Sequence, residues 1–268
     1  MPKFQELDWY DAPKYYDAIF DESTDEETDF LEAAFEEYAR VPARSRARRV
    51  LEPACGSGRL LESMARRGWS VAGFDLSLPM LEHARRRLEG AGVPRSRYRL
   101  FDAAMQDFAV KQRFQLAHCL VSTFKYLLTE KDARAHLERV AEHLVPGGIY
   151  VLGFHLSEYD DESISRERWV ARRRGFEVTC TIQGWPPDAR TRTERVRSRL
   201  AVRENRGGER RLETNWTFRT YDGPQVRRLL RSVPALELVA VHDFSYDLAT
   251  TRELGEERLD TVLVLRRR

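Results

Sequence analysis

The sequence predicts an α/β fold: a mainly parallel sheet with helices on both faces, and a small antiparallel sheet inserted late in the chain. Three observations predict it. Between residues 49 and 155, short apolar runs alternate with helical stretches, the rhythm of βαβ units. The first run, Val50-Leu51-Glu52-Pro53, passes directly into the glycine turn Ala54-Cys55-Gly56-Ser57-Gly58, and the second ends in an acid, Asp75. Between residues 169 and 221 the apolar period shortens to two, as in half-buried strands joined by hairpins.

In chain order, an aromatic arm over residues 1–20 comes first. It leads to a helix over 25–40, where Phe30, Leu31, Ala34, Phe35 and Tyr38 recur at helical spacing. Asp25, Glu26, Glu27 and Asp29 sit at the helix end that favours acids. Strand 49–53 precedes helix 59–67, strand 70–75 precedes helix 78–89, and strand 98–101 follows. Strand 114–120 leads to helix 130–144. Pro146-Gly147-Gly148 ends that helix, since proline cannot continue it and glycine allows the turn into strand 148–155.

The rhythm then breaks. Phe176, Val178, Cys180 and Ile182 alternate, as do Val196, Leu200 and Val202 among arginines and then Leu212, Trp216 and Phe218, with Asn205-Arg206-Gly207-Gly208 as a hairpin turn. Gly223-Pro224 opens a helix to about residue 232, and strands over 236–244 and 260–265 finish the chain. The expected division is a core of 1–155 with 223–268, and an inserted antiparallel β subdomain over 156–222 that covers an acceptor or forms a homodimer surface.

Composition narrows the function. The chain has 268 residues, and its 45 basic and 43 acidic side chains leave a formal charge of +2, so no global field recruits nucleic acid or an anionic membrane. A small-molecule partner is the better expectation. Cys55, Cys119 and Cys180 stand apart, without CxxC pairs or clustered histidines, which argues against a disulfide framework and a metal site. With a polar N-terminus and no run of about 18 apolar residues, the expected location is cytoplasmic.

The glycine turn carries the chemistry. Gly56 and Gly58 let backbone approach a ligand and turn into the following helix, while Glu52 at the strand end faces a cationic or polar group. A dinucleotide fingerprint would place a third glycine at position 61, which is Leu61, and has no acid before the turn. The dinucleotide reading therefore fails.

Glu52-Pro53-Ala54-Cys55-Gly56-Ser57-Gly58 with Asp75 resembles the signature of the class I S-adenosylmethionine-dependent methyltransferases of small-molecule type, over roughly residues 50–155. The resemblance implies a Rossmann-like seven-stranded sheet of order 3-2-1-4-5-7-6 and S-adenosylmethionine as cofactor, with S-adenosylhomocysteine as product. It implies that Gly56 and Gly58 lie under the methionine and ribose, Glu52 supports the ammonium, and Asp75 accepts from both ribose hydroxyls. Asp102 and Ala103 would contact adenine, Leu76 and Met80 would pack on it, and the backbone of Cys119 and Leu120 would meet the methionine. Ala54 stands where the family most often has glycine, a change tolerated if the backbone there keeps negative φ. Tyr16, with Tyr10 second, is similar to the tyrosine of methyltransferase lids that closes over the methionine carboxylate.

Transfer of a methyl group from a sulfonium to an oxygen or nitrogen requires alignment and, for a protonated acceptor, a base. His155, Glu158 and Tyr159, just past the fifth core strand, are the candidates, and Phe124 and Tyr126 are candidate walls of the acceptor pocket. His118, within the fourth core strand, is expected to face a helix or the sheet. Two alternatives stand beside this reading. An RNA or other macromolecule could be the acceptor, given the arginine stripe from Arg190 to Arg203; DNA adenine methylation lacks its proline-proline loop after the fourth core strand. The chain could also bind the cofactor without turnover.

Overall fold

The computed structural model describes residues 4–21, 23–42, 47–205, 207–255 and 259–268. The chain opens with β1 (Gln5–Glu6), α1 (Pro13–Phe20) and α2 (Thr24–Tyr38), followed by β2 (Arg49–Pro53), α3 (Arg59–Arg66), β3 (Ser70–Asp75), α4 (Leu78–Gly90) and β4 (Tyr98–Asp102). Next come β5 (Phe114–Cys119), α5 (Glu130–His143) and β6 (Leu144–His155). The insert holds β7 (Ser165–Arg173), β8 (Phe176–Gly184), β9 (Thr193–Glu204) and β10 (Glu209–Arg219), and the chain closes with α6 (Gly223–Arg231), β11 (Leu236–His242) and β12 (Asp260–Arg267).

Seven strands form one sheet in the order β11-β12-β6-β5-β2-β3-β4. Numbered among themselves in chain order and read from β4, this is the expected 3-2-1-4-5-7-6. Pairing is parallel from β4 to β6 and antiparallel at β12 and β11. Burial on both faces explains the nearly continuous apolar runs of the central strands. Leu51, Phe114 and Leu152 pack toward Leu137 and Val226 of α5 and α6, whereas Val50, Leu116 and Val151 pack toward Phe30, Leu61 and Leu81 of α2, α3 and α4. The odd-even split is the period-two alternation of a strand.

A second sheet runs β1-β10-β9-β8-β7. Its inner face, Val178, Cys180, Leu200, Val202 and Leu212, packs on Trp9, Tyr15, Ala18 and Ile19 of the arm. The arm was expected to belong with the large sheet. Instead Gln5 and Glu6 pair with Leu212 and Glu213 of the insert, and the arm packs between the insert and α4.

Three further expectations are corrected. The arm contains a helix, α1, whose eight residues are too few to show a helical period against neighbouring aromatics. Pro146-Gly147-Gly148 does not bound a strand but lies inside β6. Leu144 pairs with Phe114 and Ile149 with Leu116, so four residues of β6 face one of β5 in a bulge. Of the acids grouped at the start of α2, Glu27 turns inward and is 3% exposed. Within the hairpin expected at 205–208, Arg206 lies outside the described residues; the flanking strands pair from Arg203 and Glu209 onward. No described helix is long and apolar enough to cross a membrane.

Candidate active site

A cleft opens where β2 and β5 end at their carboxyl edge. It is lined by Glu52, Ala54, Gly56, Arg59, Cys119, Leu120, Val121, Thr123 and, from the arm, Tyr16. Open parallel sheets bind ligands at this edge because loops diverge there and helix N-termini point toward it.

The two glycines have different reasons. Gly56, at φ +51°, has nothing within 4 Å of the place a Cβ would occupy, so it leaves open space on the cleft side. At Gly58, φ +74°, a Cβ would stand 2.7 Å from Ala84 Cβ. Gly58 therefore permits α3 to start close against α4, and it does not line the cleft. Ala54 also has positive φ, +51°, contrary to the expectation of an ordinary backbone there. The turn imposes this conformation, and alanine bears the Cβ strain that glycine would avoid.

Glu52 is buried, and its Oε2 has no hydrogen-bond partner among the described residues. Burial pushes its carboxyl well above the usual range, and Glu27 and Asp75 add to this against the opposing pull of Arg59. Arg59, the first residue of α3, reaches across to α2. Its Nη2 donates to Glu27 Oε1 at 3.0 Å, its Nη1 donates to Thr24 Oγ1 at 3.1 Å, and Tyr246 donates to the same Glu27 oxygen at 3.3 Å. Burial opposes the charge of Arg59, but Glu27 more than compensates. The cleft thus sets an unpaired carboxylate oxygen and a fixed guanidinium on one wall.

Asp75 is occupied on both oxygens: Oδ2 accepts from the N–H of Gly56 and Oδ1 from that of Ser77, each at 2.8 Å. Its side chain ties the glycine turn to the start of α4. Each oxygen still has a lone pair for a ligand. Burial raises its pKa, and the two amide donors only moderate the rise. Asp102 is its register partner at the end of β4 and is exposed, with Ala103 beside it. Leu76 and Leu78 are 74% and 66% exposed, an apolar shelf next to these two acids, whereas Met80 is fully buried. The thiols of Cys55 and Cys119 are held protonated by burial, that of Cys119 at about 12, so neither is a ready nucleophile.

Tyr10, Tyr16, Tyr126, Trp216 and Phe218 form a half-buried aromatic wall beyond Tyr16, built from the arm, the loop after β5 and the insert. Tyr10 and Tyr126 share a hydrogen bond of 2.7 Å between hydroxyls. Beside that wall, Lys125 Nζ donates to Glu194 Oε1 at 2.6 Å. Phe124, expected to line the pocket, is instead a core residue against Phe154 and Tyr221.

The candidate bases lie apart from the cleft lining. His155 is exposed and pairs through Nδ1 with Asp260 at 2.7 Å. Glu158 is exposed, and the Tyr159 hydroxyl bonds Thr220 and Gln225, each at 3.0 Å. Arg59, Val121 and Thr123 were missed by the sequence reading. Arg59 reads as an ordinary first-turn helix residue, and only its inward-facing partner Glu27 reveals it. Val121 and Ser122 carry consecutive positive φ values of +57° and +63°, a strain that no apolar pattern announces. No cluster of metal-ligating side chains occurs among the described residues.

A family model described as a methyltransferase domain matches residues 50–148. A dTDP-3-amino-3,4,6-trideoxy-alpha-D-glucopyranose N,N-dimethyltransferase of Streptomyces venezuelae is 36% identical over 103 residues, 38% of this chain and 40% of that protein. The chain thus aligns with about 40% of the length of such relatives. Among solved structures, an S-adenosylmethionine-dependent methyltransferase of Clostridium acetobutylicum matches with a TM-score of 0.72 at 17% identity, covering 91% of each chain. A sugar N-methyltransferase of Streptoalloteichus has the same TM-score, 0.72, at 18% identity, covering 100% of this chain and 96% of its own. Residues 50–148 match a methyltransferase domain model, and the chain as a whole shares its fold with solved S-adenosylmethionine-dependent methyltransferases.

Proposed function

We propose that this protein transfers a methyl group from S-adenosylmethionine to the nitrogen of an amine on a small-molecule acceptor. The observation that carries the reading is the unpaired Glu52 oxygen beside the fixed Arg59 in one glycine-turn cleft. An amino-acid end, cationic at one group and anionic at the other, satisfies both. Glu52 takes the ammonium, while Arg59 and the Tyr16 hydroxyl, which burial holds protonated up to about 12, face the carboxylate. Asp75 keeps lone pairs for a ribose diol, and the Leu76 and Leu78 shelf suits a flat base next to Asp102. The residues therefore fit this cofactor from end to end.

When bound, the cofactor supplies a methyl group on a sulfonium. The chain aligns the acceptor with it and excludes water. Tyr10 and Tyr126 close the arm over the cleft by their shared hydrogen bond, and the insert bears down on the arm from the other side. The aromatic wall suits an amine, whose cationic form is drawn to ring faces. Only the neutral amine has a lone pair to take the methyl group, so the amine gives its proton to solvent before the cleft closes, and the methylated ammonium leaves as product.

The names of relatives support the choice of nitrogen, since three are N,N-dimethyltransferases of amino sugars carried on dTDP. The RNA reading is weakened because the arginines of β9 are engaged: Arg199 with Glu213, Arg197 with Gln183, and Arg195 and Arg197 over Trp185. Incubation with S-adenosylmethionine and a matched pair of nucleotide hexoses, one amino and one hydroxyl, tests the proposal by mass spectrometry. One or two methyl groups are expected on the amino compound alone; equal labelling of both would overturn the assignment to nitrogen.

A further inference from the structure

His118 was expected to face a helix or the sheet from within the fourth core strand. It is indeed fully buried in β5, yet neither ring nitrogen has a hydrogen-bond partner among the described residues. Glu52 Oε1 stands 3.9 Å from its Nδ1. Thus one small region holds three polar atoms without hydrogen bonds: both imidazole nitrogens and Glu52 Oε2, the last of these on the cleft wall. A buried polar group without a partner is costly, and a ligand that lets these three atoms pair removes that cost.

We propose that His118 is a positioning residue for Glu52: its Nδ1–H closes onto Oε1 when a cationic ammonium occupies Oε2, and loading the cofactor expels a proton from Glu52. The inference rests on the cofactor reading above and adds to it the residue behind the contact and the proton that accompanies binding.

The electrostatics run in the required direction. Around Glu52 stand Arg59 from α3, Glu27 from α2, Asp75 from β3, Tyr16 from α1, His118 from β5, and the thiols of Cys55 and Cys119. Only Arg59 is cationic, and Glu27 already holds it. Burial keeps the Glu52 carboxyl protonated to a higher pH than usual, and burial with Arg59 depresses His118 to about 3. The imidazole is therefore neutral and acts as a donor through whichever nitrogen carries its proton. An incoming ammonium favours the ionised carboxylate, so the proton leaves to water and the N–H of His118 gains a charged acceptor.

Titration calorimetry with S-adenosylmethionine in two buffers of different ionisation enthalpy, from pH 5.5 to 7.5, tests this through proton release and affinity. For the wild type, affinity rises with pH wherever the ligand-free Glu52 carboxyl is protonated, and binding there releases protons. Glu52→Gln binds more weakly and releases none. His118→Asn, whose amide N–H lies near the Nδ1 position, keeps affinity within about threefold. His118→Leu loses at least about tenfold while the ligand-free protein melts no lower than the wild type, since an unpartnered polar ring has been replaced by a hydrocarbon. If His118→Leu does not fold, His118→Gln serves in its place, because its amide reaches toward the Nε2 position and gives the same loss. Unchanged affinity in the Leu or Gln variant overturns the role of His118, and no proton release by the wild type overturns the proton step; either result leaves the cofactor reading standing. No binding by the wild type overturns both.

Discussion

At Ala54 the chain holds a non-glycine residue at φ +51° in the turn that makes the cleft. The left-handed region costs an L-residue about 1–2 kcal/mol, and glycine's greater freedom when unfolded returns about 0.4–1 kcal/mol of that. Ala54→Gly is therefore expected to raise stability by about 0.5–1 kcal/mol, measurable by urea denaturation, without loss of cofactor affinity. Asp75 is the contrasting case. Its oxygens hold the amides of Gly56 and Ser77, so Asp75→Ala removes a ligand contact and the brace of the turn together. Both stability and binding should fall, by about 1–3 kcal/mol for the amides left without their acceptor. Denaturation of the ligand-free variant isolates the brace; an unchanged midpoint would mean that the turn holds its shape without it.

Among the elements, α1 brings Tyr16 to the cleft wall. Asp17 ties it to α4, bonding His83 Nε2 at 2.6 Å and pairing with Arg87. Burial raises the Asp17 pKa, but His83, Arg87 and Ser57 outweigh it and the net shift is downward. A depressed carboxylate contributes stability that is present above its unfolded value of about 3.9 and lost as pH falls through the folded value. Acid should therefore release the arm. Asp17→Asn should do the same at neutral pH at a cost of about 2 kcal/mol. Amide hydrogen exchange checks this: residues 13–20 exchange faster in the variant while β2 and β5 stay protected. Uniform acceleration would show that the arm is not a separate unit.

Over the whole molecule, the large sheet was legible because its central strands β2, β3, β5 and β6 are buried along most of their length and so read as apolar runs. Strand order followed from resemblance, not from periodicity. The second sheet was legible in β8 to β10, where alternate residues such as Val178, Cys180 and Leu200 are buried. β7 was only partly so, because Arg166, Glu167 and Arg168 are all exposed and give it no alternation. What stayed hidden was long-range: the pairing of Gln5 with Leu212, the salt bridge from Arg59 to Glu27, and the meeting of Tyr10 with Tyr126, each set by packing between distant segments. The arginine face of β9 is tied up in pairs with its neighbours, so the protein should leave a polyanion column at low salt.

The central claim is that the cleft between Glu52 and Arg59 holds the amino-acid end of S-adenosylmethionine. Calorimetric titration of the wild-type protein against Glu52→Ala tests it most directly. The account predicts one cofactor bound per wild-type chain and affinity reduced at least about tenfold, roughly 1.4 kcal/mol, in the variant. Equal binding by both proteins, or none by the wild type, would contradict it.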